Sequence, residues 1–178
     1  SLLNLQADTL DDAATRDLLM ISVNRVRSMA RVHEMLYSGR DLARIELGGY
    51  FQALLRDLAG SFTEVAGQVE VRTSLEPVPI PIDKAVPCAL IANELVTNAF
   101  KHAFAGRPGG ELRVRLDRQG ERVEFEVADN GPGLPAGLDP RGGGTLGFQL
   151  VQTLVEQLDG ALEVRSGQGT AFRISFPC

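Results

Sequence analysis

Two pairs of strands, each joined by a tight turn, limit the folds open to this chain more than any other feature. The pairs are 111–118 with 121–128, turning at Gln119-Gly120, and 161–166 with 170–176, turning around Gly167-Gln168-Gly169. Strands joined by so short a turn must run antiparallel, because a parallel pair needs a crossover of about a dozen residues. A doubly wound parallel sheet is therefore excluded. We expect an α+β fold, a two-layer α/β sandwich whose mixed sheet carries helices on one face only.

The hydrophobic periodicity of residues 43–178 supplies the other elements of this sandwich. A period near 3.6 predicts helices, and alternation of apolar and polar residues predicts strands. The predicted elements are a short strand at 44–47, a helix from Gly49 to Phe62, a strand from Gln68 to Leu75, an extended connector at 77–81, a long helix from about Asp83 or Pro87 to Phe104, and a helix from Leu146 to Leu158.

Residues 1–42 follow a purely helical pattern. After the end of a first helix, Asp11 or Asp12 is placed to cap a second helix that runs to about Tyr37. The apolar seam of this second helix consists of Leu19, Val26, Met29, His33 and Leu36. A partial hairpin of this kind buries too little to be stable alone, so its seam requires either another chain or further helix. Because the helical pattern is already under way at Ser1, we expect a fragment of a longer protein.

Composition excludes several classes of protein. Eighteen basic against 23 acidic residues give a net charge of -5, which argues against a nucleic-acid binder. Neither of the two lysines, Lys84 and Lys101, follows a glycine, so a Walker A loop is absent. No run approaches the roughly 18 apolar residues of a membrane span, and no signal peptide is visible. Two isolated cysteines, Cys88 and Cys178, suit free thiols in a reducing cytoplasm.

The long helix carries a polar stripe that suits a metal-bound polyphosphate. Glu94, Asn98 and Lys101 are spaced i, i+4 and i+7, so they share one helix face. An amide or carboxylate oxygen is a hard ligand for Mg²⁺, and a lysine offsets phosphate charge. A solvated helix face with the same spacing is the alternative interpretation.

Two glycine-rich segments follow. The first, at the end of a strand, is Asp129-Asn130-Gly131-Pro132-Gly133. Its carboxylate would accept hydrogen bonds, and its glycines would let the backbone come close to a flat ligand. An ordinary turn is the alternative. The segment Arg141-Gly142-Gly143-Gly144-Thr145-Leu146-Gly147-Phe148 opens a helix and would cradle a phosphate through free backbone N–H groups; a flexible linker is the alternative. A fourth segment, 167–170, is fully explained as a hairpin turn.

The order of these segments is more informative than any one of them. The runs NELVTNAFKHAF, DNGPGLP, GGGTLGFQLV and GQGTAFRISFP resemble the N box and the successive glycine boxes of the GHKL (Bergerat-fold) ATPase superfamily, and more narrowly the ATP-binding domain of sensor histidine kinases. Upstream, SLLNLQADTLDDAATRDLL and RVRSMARVHEMLYSGRDLARIELGGYF resemble the dimerisation and phosphotransfer segment of the second HisKA family. The related HWE branch carries a tryptophan that this chain lacks. The resemblance covers essentially the whole chain and implies two parts, a partial phosphotransfer hairpin at 1–42 and an ATP-binding domain at 43–178.

The resemblance also implies roles for single residues at the phosphate end of the site. Asn98 would coordinate Mg²⁺ that bridges the ATP phosphates, and Glu94 beside it would polarise the reacting group. Lys101 would contact phosphate, His102 would lie near the phosphates or the ribose, and Arg141, within the ATP lid at 134–145, would be a further phosphate contact.

At the other end, Asp129 would accept the adenine amino group and Thr170 would reach the adenine edge. Gly131 and Gly133 would shape the pocket wall and the hinge of the lid. The next helix would begin beneath the phosphates, and its start would include Gly144, Leu146 and Gly147.

The implied reaction transfers the γ-phosphoryl group of ATP to a histidine and then to an aspartate on a response-regulator receiver domain, in a homodimer formed through the hairpin. His33 fits a bundle core and His102 belongs to the N box, so the acceptor histidine is expected upstream of Ser1 and this fragment is not expected to label itself. Two alternatives stay open: a GHKL serine kinase of the anti-sigma type, which lacks such a hairpin, and a degenerate module that uses the hairpin only to dimerise or to bind a partner.

Overall fold

A computed structural model describes residues 44–62, 68–138 and 145–178, together with the single positions 12, 15, 19, 22, 23, 26 and 30. From residue 44 onward, the described residues form seven strands, three α-helices and one π-helical turn. They are β1 (Arg44–Glu46), α1 (Leu47–Ser61), β2 (Val69–Leu75), β3 (Pro79–Pro81), α2 (Ile82–Asn98), a π-helical turn (Ala99–Ala103), β4 (Gly110–Gln119), β5 (Arg122–Asp129), α3 (Leu146–Gln157), β6 (Ala161–Gly167) and β7 (Gly169–Pro177).

Five of the strands form one mixed sheet in the order β2-β4-β5-β7-β6. Both predicted hairpins are present, because β4 pairs antiparallel with β5 and β6 pairs antiparallel with β7. The pair β2 and β4 is parallel, and the connection between these strands contains α2, which supplies the crossover that parallel pairing requires. The expectation of a mixed sheet rather than a doubly wound parallel sheet is confirmed.

The predicted connector at 77–81 contains a strand. Its last three residues form β3, which pairs antiparallel with β1 through Ile45 and Ile80. Both isoleucines are almost fully buried, so burial and pairing together stabilise a segment in which alternate prolines cannot donate hydrogen bonds. The Glu46 carboxylate ties the same region together, because it accepts hydrogen bonds from the backbone N–H groups of Gly48, Gly49 and Val78.

The sheet has an apolar inner face and a charged outer face. On β5 the inward residues Val123, Phe125 and Val127 are buried, whereas Glu124 and Glu126 lie on the opposite face and pair with Arg173 of β7. Among the described residues, all three helices contribute their buried side chains to one core on the inner face. The predicted two-layer sandwich with helices on one face only is confirmed.

The long helix ends differently from the prediction. A regular helix to Phe104 was expected, but α2 ends at Asn98 and the next five residues form the π-helical turn. The wider turn allows Phe100 and Phe104 to be buried together, and the Phe100 ring stacks on Phe62 with centroids 5.4 Å apart. Tertiary packing of these aromatic rings therefore overrides the α-helical register.

Few positions of the predicted N-terminal hairpin are described. Of the two predicted caps, Asp11 lies outside the described residues, and Asp12 Oδ2 accepts a hydrogen bond from the Thr15 backbone N–H at 3.0 Å. Of the predicted seam, Val26 is 59% exposed and Leu19 is half-buried, while Met29, His33 and Leu36 lie outside the described residues. No helix among the described residues is long and apolar enough to cross a membrane.

Candidate functional site

A cavity of about 390 Å³ lies between α2, the π-helical turn, the ends of β5 and β7, the segment after β5 and the start of α3. Apolar side chains form most of its wall, and a few polar groups stand at its ends. The lining residues are Leu95, Asn98, Ala99, His102, Ala103, Val127, Asp129, Pro132, Gly133, Leu134, Pro135, Leu138, Thr145, Phe148, Thr170 and Phe172. A concave, largely apolar wall with few convergent polar groups is the usual form of a small-molecule site.

Asp129 stands where β5 ends and is the acceptor at one end of the cavity. Thr170 of β7 pairs with it across the sheet, and the backbone N–H groups of Gly131 and Thr170 donate to its Oδ1 at 2.8 and 3.2 Å. Among the described residues, none donates a hydrogen bond to Oδ2, so that oxygen is available to a ligand. Burial raises the pKa of Asp129 above its ordinary value, although the two N–H donors and Arg107 act in the opposite direction.

The segment after β5 requires its glycines. A Cβ on Gly131 would lie 2.6 Å from the Cβ of Ala103, so only glycine lets this segment approach the π-helical turn. Gly133 has a φ of +82°, and a Cβ there would lie 2.6 Å from the carbonyl oxygen of Gly167. The Leu134 N–H donates to the Ser166 hydroxyl at 2.8 Å and fixes the cavity wall to the last hairpin.

Glu94 and Asn98 meet on α2, as their spacing predicts. Asn98 is half-buried, lines the cavity, and donates through Nδ2 to Glu94 Oε1 at 3.3 Å. Glu94 is only 9% exposed, so a fully solvated helix face is wrong for this position. Its carboxylate lies against the first turn of α3, where a Cβ on Gly147 would come 2.0 Å from Oε1.

Of the other residues predicted for the site, some line the cavity and others do not. Lys101 and His102 are both exposed on the π-helical turn, but only His102 lines the cavity. Leu146, at the start of α3, is 41% exposed and does not line the cavity. Arg141 and Gly144 lie outside the described residues.

Motif reading missed the aromatic wall of the cavity. Phe148 on α3 and Phe172 on β7 are both buried, and their rings stack with centroids 5.5 Å apart. They lie beside Leu95 and Val127 in the cavity wall. The available signal was ordinary periodicity. Phe148 is the third residue of a predicted helix, and Phe172 belongs to a predicted strand in which large apolar residues recur at every second position, 172, 174 and 176.

Two family models match the chain. Residues 83–178 match the histidine kinase-, DNA gyrase B- and HSP90-like ATPase family, and residues 1–62 match a histidine kinase family, HisKA_2. The second match opposes the serine-kinase alternative, which lacks such a segment. An ATPase domain of the first family implies binding of ATP.

Curated relatives and solved structures agree with these matches. The chain is 31% identical over 156 residues to blue-light-activated histidine kinase 2 of Erythrobacter litoralis, covering 81% of this chain and 44% of the relative. It is 31% identical over 170 residues to the sensor histidine kinase PdtaS of Mycobacterium tuberculosis, covering 94% and 34%. The chain thus spans less than half the length of either relative.

The solved histidine kinase domain of the Erythrobacter litoralis EL346 blue-light-activated kinase superposes with a TM-score of 0.79 at 25% identity, covering 98% of this chain and 90% of that one. The fold, the order of the motifs and both family matches agree along the chain. It belongs to the sensor histidine kinases, with a HisKA_2 segment followed by a histidine kinase-, DNA gyrase B- and HSP90-like ATPase domain.

Proposed function

We propose that the cavity binds ATP with Mg²⁺ and that this region transfers the γ-phosphoryl group to a histidine side chain, from which it passes to an aspartate of a response-regulator receiver domain. One observation carries the proposal. One largely apolar cavity is lined both by a carboxylate with an available oxygen, Asp129, and by a half-buried amide, Asn98. An adenine nucleotide presents the matching groups, an exocyclic amine on a flat base and a metal-bound phosphate chain.

Adenine recognition is assigned to Asp129, Thr170 and the aromatic wall. The Asp129 carboxylate is held by two backbone donors through Oδ1, so Oδ2 is oriented before the base arrives. The stacked rings of Phe148 and Phe172 supply flat apolar surface against which a base is removed from water. Gly133, which lines the cavity, keeps the wall thin enough for a planar ligand.

The residues at the other end fit Mg²⁺ as a metal shared with phosphate. Mg²⁺ usually keeps several waters and takes only one or two protein ligands beside phosphate oxygens. The described residues contain no group of three or more His, Cys, Asp or Glu side chains placed to hold a metal alone, so a single amide ligand, Asn98, matches this mode of binding. Lys101 and His102, exposed on the π-helical turn, are assigned to the phosphates and the ribose, and Arg141, Gly144, Leu146 and Gly147 to the phosphate side as well.

In this mechanism the chain acts mainly by positioning. Bound Mg²⁺ neutralises charge on the phosphate oxygens. The apolar wall excludes water from the base, Asp129 fixes the orientation of the base, and Asn98 fixes the phosphate chain relative to it. The Lys101 ammonium on the π-helical turn stabilises charge that develops as the terminal phosphoryl group leaves.

The remaining parts of the proposal concern assembly and context. The HisKA_2 match supports a phosphotransfer hairpin at 1–42, ahead of an ATP-binding domain at 43–178. The 59% exposure of Val26 supports a homodimer in which the hairpin seam meets a second copy. A response-regulator receiver domain is the proposed partner, and the cytoplasm is the proposed compartment.

Nucleotide titration tests the proposal directly. Calorimetry with ADP in the presence of Mg²⁺ is expected to show one site per chain, weakened when EDTA replaces the metal. Asn98→Ala should remove most of that metal dependence. Lys84→Ala, which alters a half-buried lysine that donates to the Pro177 carbonyl and does not line the cavity, should behave as the parent. Absence of ADP binding under both conditions would overturn the proposed function.

A further inference from the structure

Glu94 shares a hydrogen bond with the residue assigned to the metal. Asn98 Nδ2 donates to Glu94 Oε1 at 3.3 Å, one helical turn away on α2. A carboxylate only accepts hydrogen bonds, so the amide must turn its NH₂ group toward Glu94. Its carbonyl oxygen, Oδ1, lies at the opposite edge of the planar amide and is turned away from Glu94.

The orientation of this amide decides whether Asn98 can serve a cation. Oδ1 is a hard oxygen ligand, but the NH₂ group on the same carbon is a donor with no capacity to bind a metal. Without a fixed partner the amide can present either group. The bond to Glu94 removes this ambiguity.

Glu94 is itself held in place by its surroundings. It is only 9% exposed, and its carboxylate occupies the space beside Gly147 on α3, where a Cβ would lie 2.0 Å from Oε1. Any larger residue at position 147 would therefore displace the carboxylate. The negative charge also lies near the first turn of α3, which is the positive end of that helix.

We infer that Glu94 is a positioning residue for Asn98, and that position 147 is a glycine because the Glu94 carboxylate needs that room. This inference rests on the proposed function, since it assigns the orientation of the amide to metal-nucleotide binding. It also differs from the role that family resemblance suggests for Glu94, in which the carboxylate acts on the reacting group. Orientation needs a group at position 94 that accepts a hydrogen bond and donates none, and it does not need that group to act as a base.

The test measures ADP affinity by calorimetry, with Mg²⁺ and with EDTA, and uses the ratio of the two affinities as its readout. Glu94→Ala should weaken binding about tenfold or more in Mg²⁺, the effect of losing a hydrogen bond to a charged group, with little change in EDTA. Glu94→Gln keeps one acceptor oxygen but adds an NH₂ group that can face Asn98 instead, so its ratio should lie between that of Glu94→Ala and that of the parent. A merely structural role would move both affinities together.

Two further variants separate this inference from general destabilisation. Gly147→Ala should reproduce the Glu94→Ala ratio, whereas Gly60→Ala, at a helical glycine with no atom near the added methyl, should not. Glu156→Ala removes an exposed carboxylate bonded to the Gln152 amide with the same i, i+4 spacing and should leave the ratio unchanged.

Results that contradict these expectations would exclude either the positioning role alone or the proposed function itself. An unchanged ratio in Glu94→Ala would overturn the positioning role while leaving the proposed function intact. A Glu94→Gln variant as impaired as Glu94→Ala would also overturn it, because the retained acceptor oxygen would then contribute nothing to the orientation of Asn98. Failure of the parent protein to bind ADP at all would instead refute the proposed function.

Discussion

Replacing Asp129 with asparagine separates ligand recognition from folding at the end of β5. In the parent, Oδ1 accepts the hydrogen bonds from Gly131 and Thr170, and no described residue donates to Oδ2. Asparagine keeps a carbonyl oxygen for those two donors and places an NH₂ group where Oδ2 was. The fold should therefore persist, while the group that faces the base changes from an acceptor to a donor.

The expected loss follows from the bond that disappears. A hydrogen bond to a charged group contributes about 1.5–3 kcal/mol, which corresponds to roughly 10- to 150-fold in the dissociation constant. The NH₂ group of the variant also faces the amino group of adenine, and two donors repel. Asp129→Ala should lose as much affinity and additionally leave two backbone N–H groups without an acceptor, at about 1–3 kcal/mol of folding stability each.

The assay pairs calorimetry for ADP and for inosine diphosphate with thermal unfolding of each variant without ligand. Inosine carries a carbonyl oxygen where adenosine carries its amine, so Asp129→Asn should gain affinity for inosine diphosphate as it loses affinity for ADP. Asp129→Ala should bind neither well and should melt at a lower temperature. If Asp129→Asn bound ADP as tightly as the parent, Asp129 would not be the adenine acceptor and the orientation of the base in the cavity would have to be reversed.

Four further expectations follow from single contacts. ADP affinity, measured by calorimetry, should fall as the pH drops through the raised pKa of Asp129, because protonation takes up a carboxylate oxygen that would accept the hydrogen bond from the adenine amine. Asp129→Asn should show no such fall. Phe148→Ala should cost about 3–5 kcal/mol in denaturant titrations and admit adenine analogues enlarged on the base. Gly133→Ala should cost at least about 1–2 kcal/mol, measured in the same way, because its φ is +82° and a carbonyl oxygen blocks the methyl. Native-state alkylation followed by mass spectrometry should modify Cys178 and spare Cys88, whose pKa is raised by complete burial.

The two hairpins of the sheet were predictable from sequence because their signals are local. Alternating residues and tight turns specify β4 with β5 and β6 with β7, and neither pair needs information from elsewhere in the chain. The strand β3 was not predicted, since alternate prolines hide it and only the distant Ile45 gives Ile80 a buried partner. The π-helical turn was missed for a similar reason, because the stacking of Phe100 on Phe62 depends on tertiary packing.

For the candidate site, motif spacing predicted the polar groups and could not predict the cavity between them. Glu94 and Asn98 are one helical turn apart, so their meeting follows from local geometry. Lys101 was assigned to the same face by continuing an α-helical register through residues that form a π-helical turn, and His102 lines the cavity instead. The Phe148 and Phe172 wall joins a helix to a strand and has no local signature beyond periodicity.

The glycines of the motifs have more to do with contacts between elements than with contacts to a ligand. Gly131 and Gly147 do not line the cavity, yet a side chain on either would strike Ala103 or Glu94. Gly133 does line the cavity, but its positive φ and the nearby Gly167 carbonyl already demand glycine. Each glycine thus lets two elements approach closely. In this way the segment after β5 orients Asp129, and α3 orients Glu94. Substitution of these glycines should therefore act on nucleotide binding through the neighbouring carboxylates, and the effect should differ from site to site: on base recognition at position 131 and on metal dependence at position 147.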